Sequence, residues 1–331
     1  MKKSRKMRRI GPLRVFLSAL PLFFGIGSAV FGESTLWTEE RTFLGQSIVP
    51  GSSVPLRLNN HPPLILEQQS TAWSWQLFPD GKMYPAYLAG VNEARLGSVW
   101  NKDDHLGWIW DITLGGQMPL LRYGNRNSVL PEGFQLDVEG FVHLRLDIEH
   151  ERDLDAADFY CGAPISYAIK NWQFKTGYYH VSSHLGDERM IRLHHNNVPF
   201  PYDRTNYVRE AWLFGVAFRP HRDVRLYAEA DFAFWLGEGT KPWHFQFGAE
   251  YSPVAPAGKW IGRPFAAIHA RLVQERNYGG NLCVQGGWQW RGPQNQLFRV
   301  GLQYFTGVSE QYEYVYERRE NKIGVGIWLD F

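Results

Sequence analysis

The last ten residues constrain the fold of this chain most. From Lys322 to Phe331, the residues Ile323, Val325, Ile327, Leu329 and Phe331 are apolar at every second position. A period of two belongs to a β-strand, whose successive side chains point to opposite faces, so this strand keeps one face in an apolar medium. The pattern is longer over 134–149. There Phe134, Leu136, Val138, Val142, Leu144, Leu146 and Ile148 interleave with Gln135, Asp137, Glu139, His143, Arg145, Asp147 and Glu149. One face suits lipid and the other a polar interior.

Seven Lys/Arg between Lys2 and Arg14 precede an apolar run from about Val15 to Val30. This reads as a cleaved secretory signal over residues 1–32. It holds seven of the 35 bases and none of the 33 acids, leaving 28 bases against 33 acids, about −5. The slightly basic balance of the whole chain therefore belongs to the leader, and nucleic acid is not an expected partner. Past the leader no run of 18 apolar residues occurs, so no spanning helix is expected. A chain that crosses lipid without helices must close into a barrel, because each backbone amide there needs an internal partner. The 14 Trp, 16 Tyr and 21 Phe suit aromatic girdles. Cys161 and Cys283 are too few for a disulfide scaffold.

Alternating segments broken by turn residues predict an all-β, transmembrane antiparallel β-barrel of about 12 strands over residues 91–331. The first hairpin is expected at 92–101 and 107–115, with Ala94, Leu96 and Trp100 on one face. If both barrel ends face the periplasm, the turns at 170–171, 219–223 and 291–295 lie inside and are short. The gaps at 184–205 and 307–320 then lie outside and are long. The gap at 116–133 breaks the rule, and marks a local extension or a misplaced first hairpin. Residues 33–90 do not alternate and carry six prolines from Pro50 to Pro85, so they read as a periplasmic or lumen-filling segment with a turn at Pro79-Asp80-Gly81. Inward positions carry both signs, among them Asp111, Arg145, Arg225, Glu229 and Arg299. Charges that pair with one another fill an interior, which argues against a general porin.

One cluster of polar residues falls on the lipid-facing parity. Trp172, Phe174, Thr176 and Tyr178 lead on to His180, Ser182 and His184, all expected to point outward near the outer leaflet. Polar groups in lipid are costly and point to function. On the next strand Glu210 is the one charge among Val208, Trp212, Phe214, Val216 and Phe218. If Trp172 lies opposite Phe218, His180 lies opposite Glu210. Parity permits only even sums of paired residue numbers, since an odd shift would turn an apolar face inward. Ser182, His180 and Glu210 are then candidates for nucleophile, base and orienting acid. His184 is a rival base, and Asp187 and Glu188 are rival acids. The hairpin at Lys170-Asn171 sets Cys161 opposite His180, where a thiol nucleophile or a small apolar strand residue would both fit. An interfacial girdle with polar edges is the non-catalytic reading of the whole cluster.

The final strand resembles the carboxy-terminal signal read by the bacterial outer-membrane assembly machinery, which makes that machinery, through Phe331, and outer-membrane lipids the expected partners. The His-x-Ser pair resembles that of the outer-membrane phospholipase and lipid A deacylase barrels. That resemblance implies a lipid acyl-ester hydrolase of the outer membrane. In those enzymes the third member follows the serine by about a dozen residues, where this chain has His194. Some such phospholipases use calcium and dimerise; the sequence itself indicates no cofactor. The stretches 76–85, 179–188 and Tyr207-Val208-Arg209-Glu210 are similar to a bacterial envelope family known as domain of unknown function 1207, which implies location and no activity.

Overall fold

The computed structural model describes residues 72–196, 207–237, 239–254, 261–292 and 294–331. The expected signal peptide and the N-terminal segment up to residue 71 lie outside the described residues. A short strand β1 (Ser74–Leu77) is followed by β2 (Leu96–Asp103), β3 (Gly107–Gly124), β4 (Gly133–Asp147), β5 (Asp153–Ile169) and β6 (Trp172–Leu185). The helix α1 (Asp187–His195) comes next. Then follow β7 (Val208–His221), β8 (Val224–Leu236), β9 (Trp243–Tyr251), β10 (Arg263–Val273), β11 (Gly279–Arg291), β12 (Leu297–Val308) and β13 (Arg319–Asp330). From β2 to β13 each strand pairs antiparallel with the next, and β13 returns to β2, from Leu329↔Leu96 to Lys322↔Asp103. Twelve strands therefore close on themselves, and closure removes the unpaired backbone edge that lipid does not tolerate. β1 adds four residues beside Leu121–Gly124 of β3. The end where β2 begins and β13 finishes is called the base, and the other end the top.

Side chains divide as the alternation requires. Phe174, Phe214, Ile268 and Val325 are exposed on the outer face, while Asp137, Arg145, Arg225 and Arg299 are buried inside. The first hairpin differs from the expected one. β3 runs on to Gly124, so the long basal gap shrinks to 125–132. The alternation that would have revealed this stretch is broken twice. Gly115 and Gly116 carry no side chain, and a bulge between Pro119 and Leu121 shifts the register against β4. Gly116 is required by close approach, since a Cβ there would lie 2.7 Å from the ring of Phe331. Ala94, expected beside Leu96 on the outer face, is buried instead.

The chain between β1 and β2 forms a plug inside the barrel. It turns in at Gly81, whose φ of +74° and contact with Ser128 exclude a side chain. Met83, Tyr84, Tyr87, Ala89 and Arg95 are then buried. Inward polar side chains satisfy the plug's backbone, as buried carbonyls and amides demand. Gln173 donates to Met83 O at 2.7 Å, Gln117 to Tyr84 O at 3.2 Å and Arg225 to Pro85 O at 3.0 Å. Glu250 accepts from the Leu88 amide at 2.7 Å. The plug continues to Arg95, so residues 91–95 lie inside the wall and are not part of it.

A second insertion comes from the top. Residues 309–315, between β12 and β13, fold inward and are buried. The two insertions meet where Asn92 donates to Glu310 O at 3.1 Å. Around them the inward charges pair. Arg145 reaches Asp111 at 2.7 Å, Glu310 at 2.6 Å and Glu320 at 2.5 Å. Lys322 bridges Asp111 at 2.9 Å, Glu320 at 3.1 Å and Glu310. The plug's Glu93 sits by a polar cavity of about 50 Å³ and accepts from the Tyr87 amide at 3.1 Å. Burial raises its carboxyl to about 8; Lys175 and Arg95 oppose the rise, and Glu229 and Glu139 add to it. An acid whose folded pKa lies above its unfolded value binds more protons when folded, so its contribution is full below the unfolded value and is lost as pH rises. Stability in micelles should therefore fall between about pH 5 and 8, by on the order of 2 kcal/mol after allowance for the polar cavity. Thermal melts of Glu93→Gln should show a flatter pH dependence; an unchanged slope would contradict this assignment.

Candidate active site on the outer wall

The polar cluster occupies the upper outer face of β5, β6 and β7. The lower turn sets its register: Ile169 pairs with Trp172 around Lys170, which has φ +52°. On the other side Trp172 pairs with Phe218. These registers place Cys161, His180 and Glu210 side by side across three strands. The His180 Nδ1 lies 2.8 Å from Glu210 Oε1. Tyr178, one pleat below on the same face, donates its hydroxyl to Glu210 Oε2. Both oxygens of this carboxylate are thus engaged, which offsets the cost of holding it in an apolar wall.

Neighbouring side chains keep the pair partly dry. His180 and Glu210 are 29% and 24% exposed. Trp212 stands beside Glu210 on β7, and Phe234 lies 6.3 Å from Tyr178. A bulge interrupts the β7–β8 register between Glu210 and Ala211, leaving Phe234, Trp235 and Leu236 consecutively exposed. Such irregularities re-aim side chains. The neutral tautomer that donates from Nδ1 to Glu210 leaves Nε2 as an acceptor, the form a general base requires.

Ser182 lies one pleat above His180, half-buried, between Phe159 and Val208. No hydrogen bond joins its hydroxyl to His180 among the described residues. Cys161, directly across from His180, is a free and exposed cysteine. His184 packs edge-on against Phe159 with ring centres 5.6 Å apart. Asp187 and Glu188 begin α1, exposed in its first turn, where carboxylates complement the helix dipole. Neither bonds to His180 or Ser182 among the described residues. His194 lies in the last turn of the same helix and is exposed. Tyr178 was missed as a participant; its place on the same parity as His180 was the available clue.

One other group has metal-like spacing. Ligand-type atoms of buried Asp111, His143 and Glu310 lie within 4.8 Å of one another. Arg145 and Lys322 bind the same carboxylates, so the cluster supplies its own cations.

A family model described as protein of unknown function (DUF1207) matches residues 63–331. The chain belongs to this family. No curated protein matches it. Among solved structures, the outer membrane phospholipase A of Escherichia coli is similar at 11% identity and a TM-score of 0.45, over 75% of this chain and 92% of the other. A KdgM porin is similar at 8% identity and a TM-score of 0.41, over 72% and 99%. The Salmonella typhi outer membrane phospholipase, a dimer with bound calcium, gives 11% and 0.45, over 75% and 92%. At such identities no residue's role transfers, and the chemistry of the wall rests on its own side chains.

Proposed function

We propose that the protein is a bacterial outer-membrane barrel that hydrolyses acyl esters of membrane lipids, phospholipid or lipid A, at its outer wall. The observation that carries this reading is the His180–Glu210 hydrogen bond on a face otherwise built for lipid. A structural barrel gains nothing from a carboxylate and an imidazole there, and their mutual orientation is that of a base and its positioning acid. Ser182 is the nucleophile. Its Oγ attacks the ester carbonyl while its proton passes to His180 Nε2, and Glu210 stabilises the imidazolium that forms. Collapse of the tetrahedral intermediate expels the lipid alkoxide, which takes that proton. Water then cleaves the acyl-serine with His180 again as base. In the membrane the base of the barrel faces the periplasm, and the strand ending at Phe331 is the segment that the assembly machinery reads.

The missing Ser182–His180 hydrogen bond favours a second reading, a non-catalytic wall in a structural or solute-transporting barrel. Purified protein in micelles with a phospholipid substrate separates the two. A hydrolase releases fatty acid, loses this with Ser182→Ala and shows no conductance in planar bilayers. A solute channel shows conductance insensitive to Ser182→Ala and releases nothing. Loss with Cys161→Ser but not Ser182→Ala would move the nucleophile to β5.

A further inference from the structure

At the base of the lumen, far from the wall site, the plug and the basal turns enclose a cavity of about 260 Å³. Among the described residues, only one of its four basic side chains is paired with an acid. Lys82 and Arg219 form no ion pair with another described residue. Among the described residues Arg291 is held by neutral groups alone, Asn295 and, at 3.0 Å, Ser252. Arg225 is 1% exposed and reaches Glu250 at 3.4 Å, yet its Nε and Nη2 have no hydrogen-bond partner among the described residues. A buried guanidinium with idle donors beside a cavity is costly unless something accepts from it.

The acids of the same lining are already committed. Asp330 takes Arg95 and Arg299, each at 3.0 Å. Glu250 also accepts from the Leu88 amide. Asp223 accepts from the Val254 amide at 2.9 Å and lies 3.6 Å from Arg222. Asp80 is exposed. Arg225 is further fixed by its stack on Tyr84, 4.6 Å from the ring centre, so its fork is oriented in advance. Met83, Tyr84 and Tyr87, on the plug between the lining residues Lys82 and Leu88, are buried.

We propose that this cavity binds a phosphate or phosphate monoester, held by Arg219, Arg225 and Arg291 with Lys82 as an added point charge. Three guanidinium groups around one cavity match an oxyanion with several acceptor oxygens. The source is either a soluble phosphate compound or the headgroup of a phosphate-bearing lipid. The test is calorimetric titration of the full chain in detergent micelles, with inorganic phosphate in one arm and phosphatidate in mixed micelles in the other. Saturable phosphate binding is expected, weakened at least ten-fold in the Arg219→Gln/Arg291→Gln double variant. Binding of phosphatidate alone, lost in the same variant, would support the pocket and assign it to a headgroup. No binding in either arm, or equal binding by the double variant, would overturn the proposal. The single variant Lys82→Gln, on the plug and outside the wall, should weaken binding even if the double variant fails to fold.

Discussion

His180→Ala is expected to lower acyl-ester hydrolysis by at least about 10³-fold, because it removes the base that the proposed mechanism assigns to the serine proton. Glu210→Gln should lower the rate by about 10²–10⁴-fold while leaving the wall intact. The reason is tautomeric. The Gln amide can donate to Nδ1, which moves the ring proton to Nε2, where it blocks acceptance from Ser182. Tyr178→Phe should cost far less, on the order of ten-fold, since Glu210 keeps His180 as partner and loses one hydrogen bond. Fatty-acid release from phospholipid in micelles measures all three. Equal rates for the native chain and Glu210→Gln would show that the pair is not catalytic.

Arg145→Met should destabilise the barrel by about 3–5 kcal/mol. The guanidinium is fully buried and binds three carboxylates, Asp111, Glu310 and Glu320. Among the described residues its loss leaves Lys322 as their one remaining fixed positive partner, so buried negative charge goes uncompensated. The top insertion carries Glu310 and should loosen first. Denaturant unfolding of the protein in micelles measures the loss. Adding Glu310→Gln to Arg145→Met should recover part of it, because it removes one of the stranded charges. A single variant as stable as the native chain would mean that the cluster contributes nothing net.

Period two made the walls legible. Each strand's parity follows from which side chains lipid tolerates; the tight turn at Lys170-Asn171 set Cys161 opposite His180, while parity limited β6–β7 to even sums, among which the assumed Trp172–Phe218 pairing is the one observed. Where side chains do not alternate, the reading failed for a physical reason. Gly115, Gly116 and the bulge at Pro119 hid half of β3. The plug has no repeat, because its side chains meet a different inward residue at each step. The gap 307–320 reads as an outer loop by strand direction, yet Glu310 and Gln311 within it are buried, because the lumen that receives them is itself polar. Of the wall cluster, the partners fixed by cross-strand register were readable. The Tyr178 bond to Glu210 and the β7–β8 bulge beside it depend on side-chain reach and local backbone, which parity does not encode.

An outer wall that cleaves lipid acyl esters changes the lipids around it. The most direct measurement is the mass spectrum of outer-membrane lipids from cells expressing the native chain and from cells expressing Ser182→Ala at equal folded levels. Loss of an acyl chain from phospholipid or lipid A is expected with the native chain alone, and would also name the substrate. Identical spectra would contradict it and leave a barrel whose outer wall does no chemistry.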